Sequence, residues 1–163
     1  MSDSAAQRES GEAGTFTLTA NHVGITVSDL SRSVAFYRDL LGFHVAYERG
    51  EVQAEYMPRL LGIPGARIKI AGLDLPGLHL DLLEYIEPKG ATTACPTYDV
   101  GNGHIGFTVD DIWAAYHRLK AAGVRFKSEP VSITQGPNKG GWGVYFWDPD
   151  DITLEMIQRA TPS

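Results

Sequence analysis

From residue 18 to residue 27 apolar and polar side chains alternate, with Val23, Ile25 and Val27 on one side and His22, Gly24 and Thr26 on the other. A period of two is that of a half-buried strand, and it turns His22 away from the aliphatic face. At Asp29 the period changes. Leu30, Val34, Tyr37 and Leu41 recur at i, i+4, i+7 and i+11, the stripe of a helix that Asp29 caps and Gly42 ends. Strands are then predicted over 43–49, 66–73 and 77–86, which gives the order β-α-β-β-β. The same order returns as a strand over 104–109, a helix over 111–122 capped by Asp111 and closed by Gly123, and strands over 124–127, 142–147 and 152–158. Segments 51–65 and 129–143 interrupt the two units at corresponding places and are expected to rim a cleft. The first predicts a short helix over 52–61 with Pro58 weakening its interior, and the second, rich in Gly and Pro, is expected to be mobile.

The return is also literal. His22-Val-Gly-Ile-Thr-Val-Ser-Asp-Leu30 matches His104-Ile-Gly-Phe-Thr-Val-Asp-Asp-Ile112, and Leu80-Asp81-Leu82-Leu83 matches Leu154-Glu155-Met156-Ile157. Each unit therefore begins a strand with an imidazole and ends one with a carboxylate. A four-stranded sheet with one helix buries only one face, so two units placed side by side enclose the other faces as an open barrel or cleft, with the helices outside. His22, His104 and Glu155 share the parity that faces such a cleft, and an acid between aliphatics needs a partner that offsets its desolvation. Two imidazoles and two carboxylates, His22, Asp81, His104 and Glu155, make a candidate site for one divalent cation. Glu84 is the rival of Asp81, but strand parity and repeat register favour Asp81. His44, His79 and His117 read as ordinary core or surface histidines, although His79 shares the parity of Asp81.

Composition narrows the partners. The 163 residues are 43% hydrophobic, enough for one domain with a core. A formal net charge of -6 without a Lys/Arg run argues against nucleic acid or an anionic membrane and for a small-molecule substrate. Residues 1–14 hold nothing to bury and are expected to be a disordered lead-in to a single domain over 15–163, built from units 15–88 and 102–160. Cys95 has no second cysteine to pair with, and neither a signal peptide nor a bilayer-length apolar run is evident, so a soluble cytoplasmic protein is expected.

The segments NHVGITVSDLSRSVAFYRDLLGF (21–43), LHLDLLEYIEP (78–88), GHIGFTVDD (103–111) and YFWDPDDITLEMIQ (145–158) together resemble the vicinal oxygen chelate superfamily, the glyoxalase/bleomycin-resistance/dioxygenase family. The resemblance implies an α+β fold of two βαβββ modules forming an open, curved mixed β-sheet barrel with helices on the outside. It also implies metal ligation by His22, Asp81, His104 and Glu155, with one divalent ion (Zn, Ni, Co, Mn or Fe(II)), and a homodimer, whose clefts are formed within a chain or by exchange between two. Two departures stand out. Asp81 replaces the longer Glu or Gln of glyoxalase-like members, and the turn Trp147-Asp148-Pro149-Asp150-Asp151 has Asp where relatives usually have Gly. Asp tolerates the left-handed conformation better than most residues, so the turn is expected to survive.

Such a site would hold a substrate with vicinal oxygens and ease removal of a proton from the adjacent carbon, with Glu155 as the base, giving lyase or epimerase/isomerase chemistry. The alternative is a non-haem Fe(II) extradiol-type dioxygenase using His22, His104 and Glu155, with Tyr145 acting near the iron. It lacks the second histidine such relatives carry, since the corresponding window holds Gly136, Pro137 and Asn138. A third reading is a non-catalytic antibiotic-binding protein with Tyr56, Tyr98 and Trp142 in an aromatic cleft. Arg67, Asn138 and Lys139 are candidates for meeting an anionic group on the substrate, or are solvated surface residues.

Overall fold

The computed structural model describes residues 16–52, 54–91 and 96–161. The lead-in expected over 1–14 and Cys95 lie outside the described residues. The first unit runs β1 (Val23–Thr26), α1 (Leu30–Ala35), β2 (His44–Val52), α2 (Met57–Leu61), β3 (Arg67–Leu75) and β4 (Leu78–Glu87). The second runs β5 (His104–Thr108), α3 (Ile112–Ala121), β6 (Val131–Ser132), β7 (Trp142–Trp147) and β8 (Thr153–Gln158). Each unit folds into its own mixed sheet, in the orders β1-β4-β3-β2 and β5-β8-β7-β6, and the sheets are not closed. In both, the first strand pairs parallel with the last, and the remaining pairs are antiparallel.

The repeat is kept at the level of single hydrogen bonds. Asp29 accepts from the Arg32 amide at 2.9 Å and Asp111 from the Ala114 amide at 2.9 Å, the side-chain caps expected at both helix starts. The next free amide in each helix is also met: Leu30 donates to Glu84 at 3.0 Å, and Ile112 donates to Gln158 Oε1 at 2.8 Å. Glu84 thus lies on the helix side of its sheet, away from His22. It also takes the Lys69 ammonium at 3.3 Å.

The expected strand over 18–27 is shorter, Val23–Thr26, because only those residues find ladder partners on β4. α1 loosens after Ala35 into a π-helical turn, Phe36–Leu40, before Gly42 turns the chain at φ 81°. The helix expected over 52–61 is confined to Met57–Leu61, since β2 continues to Val52 opposite Ile68 and Pro58 sits in the first helical turn. The strand expected over 124–127 reduces to one bridge, Phe126 to Phe146, and the edge strand is Val131–Ser132 instead. Segment 129–143, expected to be loose, is a hydrogen-bonded turn: Ile133 and Gly140–Gly141 exchange backbone bonds of 2.9 and 2.8 Å. A Cβ at Gly141 would stand 2.2 Å from the Gln158 carbonyl, so this close approach requires glycine.

One core serves both units. Val27, Leu30, Val34, Tyr37, Leu73, Leu80 and Leu82 from the first join Ile112, Leu119, Val144, Phe146, Leu154 and Met156 from the second, all nearly excluded from solvent. Burying side chains of this size contributes roughly 1.5–3 kcal/mol each. Polar pins accompany it: Tyr37 donates to Asp148 at 3.2 Å, Arg118 reaches the Asp39 and Leu40 carbonyls at 3.3 Å, and Asp150 holds Ser28 and Arg32, each at 2.5 Å. The join is therefore made through the aliphatic, helix-bearing sides of the sheets. Trp142, expected in the cleft, packs on Trp113 of α3 with ring centroids 5.7 Å apart.

Candidate metal centre

Strand pairing places the two carboxylates equivalently. Asp81 lies opposite Gly24 on β1, and Glu155 lies opposite Gly106 on β5. A glycine there keeps the approach to the acid open; a Cβ on Gly106 would stand 3.4 Å from Glu155 Oε2. The histidine two residues earlier falls on the same face, so each unit presents one imidazole against one carboxylate. His22 Nε2 is 3.7 Å from Asp81 Oδ2, and His104 Nε2 is 3.3 Å from Glu155 Oε2. The histidine side chains are 45% and 43% exposed, so neither pair is closed over.

The donor sets fit a divalent cation. Nitrogen and oxygen ligands each about 2.0–2.2 Å from a shared ion stand at N···O separations of this kind. Asn21 Oδ1 lies 2.7 Å from His22 Nδ1, and an oxygen acceptor there assigns the ring proton to Nδ1, leaving the Nε2 lone pair for a cation. Within one chain, however, the pairs stay separate. Among the described residues no three His, Cys, Asp or Glu side chains come close enough to hold one ion, so of the two arrangements the sequence leaves open, the four-residue site within one chain is not formed.

Around the first pair the structure adds Tyr47, which the sequence did not single out, and His79, whose shared parity with Asp81 the sequence showed. Tyr47 donates to Asp81 Oδ1 at 2.6 Å, and His79 Nε2 approaches the same oxygen at 3.2 Å. Both therefore hold Oδ1, and Oδ2 is left facing His22. Tyr47 reaches Asp81 because β3 carries Gly72 between them: a Cβ at residue 72 would stand 2.3 Å from Tyr47 Cε1. That glycine, interior to a strand, was the available sequence signal for a close approach. Burial and the hydrogen bond to Asp81 push the Tyr47 hydroxyl up to about 12. The hydrogen bond to Asp74, at 2.5 Å, raises the His79 imidazole above its ordinary value, with the Asp74 and Asp81 charges adding to it.

The second pair has a phenol too, but from the adjacent strand. Tyr145 lies directly opposite Glu155 in the β7–β8 ladder and sits edge-on to the His104 ring at 5.3 Å. Its hydroxyl is raised by burial first and by the Glu155 charge second. Beyond Tyr145, the Lys127 ammonium lies 5.5 Å from its ring centroid and 5.3 Å from that of Trp147. His44 is exposed, and His117 packs on Trp113 and Tyr116. Arg67 pairs with Glu51 at 2.8 Å. Tyr56 and Tyr98 are exposed surface aromatics.

Comparison with known proteins places the chain in a family. Residues 19–156 match the family model described as the glyoxalase/bleomycin resistance protein/dioxygenase superfamily. A 2-epi-5-epi-valiolone epimerase from Actinomyces sp. is 35% identical over 86% of this chain and 79% of its own. A probable lactoylglutathione lyase from Vibrio cholerae is 30% identical over 85% of this chain and 88% of its own. In structure, a glyoxalase family protein from Bacillus cereus superposes with a TM-score of 0.79 at 21% identity, covering 93% of this chain and all of that one. No helix among the described residues is long and apolar enough to cross a membrane. The chain belongs to the glyoxalase/bleomycin resistance protein/dioxygenase superfamily.

Proposed function

We propose that the protein is a metal-dependent epimerase or isomerase that removes a proton from the carbon beside a carbonyl, in a small substrate with vicinal oxygens, and returns it to that carbon or its neighbour. Support comes from the His104–Glu155 pair, repeated in His22–Asp81 and left open on the inner face of each sheet. His22, Asp81, His104 and Glu155 would hold a divalent cation, which would supply the positive charge that stabilises negative charge developing on the substrate oxygens. Glu155 takes the proton, and Tyr145, its ladder partner, flanks the carboxylate. On the opposing half, Tyr47 and His79 hold Asp81 toward His22. The epimerase reading draws on the relative named as an epimerase, and the lactoylglutathione lyase relatives support the same proton removal on a different substrate.

Because each chain carries two half-sites, the working unit in this proposal is a homodimer in which His22 and Asp81 of one copy face His104 and Glu155 of another. His22→Ala and His104→Ala should each be inactive alone. Mixed in equal amounts after unfolding and refolding, they should regain about a quarter of wild-type activity, since half the dimers then carry one intact site of two. Absence of any recovery sinks the exchanged arrangement. Chemistry is tested by incorporation of solvent deuterium into α-hydroxy ketones, 2-methyl acyl thioesters and glutathione–2-oxoaldehyde adducts. Wild type should exchange the proton and Glu155→Gln should not. The position of Tyr145 beside His104 favours a second reading, ring-cleaving oxygen chemistry, which oxygen uptake on a catechol would reveal.

A further inference from the structure

Beside the His104–Glu155 pair, on the same face of β7, lies an open pocket of about 370 Å³ that the proposed chemistry does not use. It falls in the size range of small-molecule sites, roughly 300–1,000 Å³. Thr97, Tyr98, Arg125, Lys127, Trp147 and Asp151 line it. Tyr145 and Trp147 are two residues apart on one strand and so point the same way, and Lys127, which lines the pocket, lies over both rings and so stands between the pocket and Tyr145.

Its polar groups are of both kinds. Lys127 donates to Thr97 Oγ1 at 2.8 Å and has further N–H groups to offer, while Arg125 is held by the Asp151 carboxylate and lies 5.4 Å from the Trp147 ring centroid. An anion bound here would stand next to the Asp151 carboxylate and meet an arginine already neutralised. A hydroxyl group donates and accepts at once, and a wall offering a carboxylate and a hydroxyl beside two cations matches several hydroxyls together. Asp151 reaches the pocket from a left-handed backbone, φ 66°, the only non-glycine residue with positive φ among those described. The turn thus holds an acid in a conformation that glycine adopts more easily.

We propose that this pocket binds the hydroxyl-bearing part of a polyhydroxylated carbonyl substrate, with Lys127, Arg125 and Asp151 making the hydrogen bonds and Trp147 contacting the carbon skeleton. The assignment names the substrate class of the reaction proposed above and rests on that reading for the reacting carbon. The pocket itself is tested without turnover. In the apoprotein, the indole N–H signal of Trp147, assigned through Trp147→Phe, is followed by NMR during titration with myo-inositol and, separately, inorganic phosphate. Inositol should shift that signal saturably. Lys127→Met and Asp151→Gly should each weaken it about tenfold, the equivalent of one lost hydrogen bond of about 1.4 kcal/mol.

Phosphate should bind weakly or not at all. Saturable phosphate binding that Asp151→Gly tightens, with inositol inert, would overturn the proposal in favour of an anion pocket. A Trp147 signal that neither probe moves would overturn it outright. Glu155→Gln should leave the inositol response intact, so loss of the pocket and loss of the proton-transfer reading are separate results.

Discussion

Gly72→Ala tests how the first carboxylate is held. The added methyl would lie 2.3 Å from Tyr47 Cε1 and 2.5 Å from Cζ, because the Tyr47 ring lies over its ladder partner Gly72. The phenol has to swing away, and its 2.6 Å hydrogen bond to Asp81 goes with it. Losing a hydrogen bond to a charged acceptor costs about 1.5–3 kcal/mol, and crowding a packed site adds about 1–3 kcal/mol. Some strain is relieved by the outward movement of Tyr47, which gives a net destabilisation of about 2–4 kcal/mol, or very roughly 5–15 °C in Tm at this chain length. Urea unfolding of the chelator-treated protein measures it, with Tyr47→Phe reporting the hydrogen bond alone at about 1.5–3 kcal/mol. In a Tyr47→Ala background Gly72→Ala should cost less than about 0.5 kcal/mol, because the atoms it strikes are gone. A Gly72→Ala protein as stable as wild type, or equally destabilised in both backgrounds, would refute the reasoning.

Tyr37→Phe removes the only buried phenol bonded to Asp148 among the described residues and should destabilise by about 1–2 kcal/mol, read by urea unfolding. Asp150 is held below the usual carboxylate range: burial opposes this, but hydrogen bonds from Ser28 and Arg32 outweigh it. A depressed folded value contributes stability above the unfolded value near 3.8, and this is lost as pH falls through the folded value. Asp150→Asn should therefore destabilise at pH 7 and converge with wild type in acid; a constant gap across pH 2–7 would contradict it. Asp151→Gly relieves a left-handed φ at the loss of an exposed ion pair worth about 0–1 kcal/mol, so its Tm should equal or exceed that of wild type.

Periodicity carried the fold wherever a strand has partners on one face and solvent on the other. β7 falls at 142–147 as expected, and β5 and β8 agree to within a residue. It misled where alternation had no ladder to join, as at residues 18–22, and at 124–127, where only Phe126 pairs. For the site, repeat register chose Asp81 over Glu84, and the shared placement of Asp81 and Glu155 opposite glycines agrees with it. Asp151 takes the left-handed conformation anticipated for that turn. Tyr47 was not legible, because it acts from two strands away through a gap at Gly72, a relation that exists only once β2, β3 and β4 are side by side. Nor does the letter pattern say which side of each sheet meets the other unit. Tertiary packing of Tyr37, Phe43 and Phe107 decides that.

The phenols beside Asp81 and Glu155 come from unlike places, and so the two halves are not interchangeable. Tyr145 rides on the strand beside its acid and keeps its position through any change that leaves that pairing intact. Tyr47 depends on an emptiness, and a single methyl in the course of mutational drift is enough to evict it. A chimera with the second half duplicated in place of the first would inherit the sturdier anchor, whereas doubling the first half would concentrate the fragility at both acids.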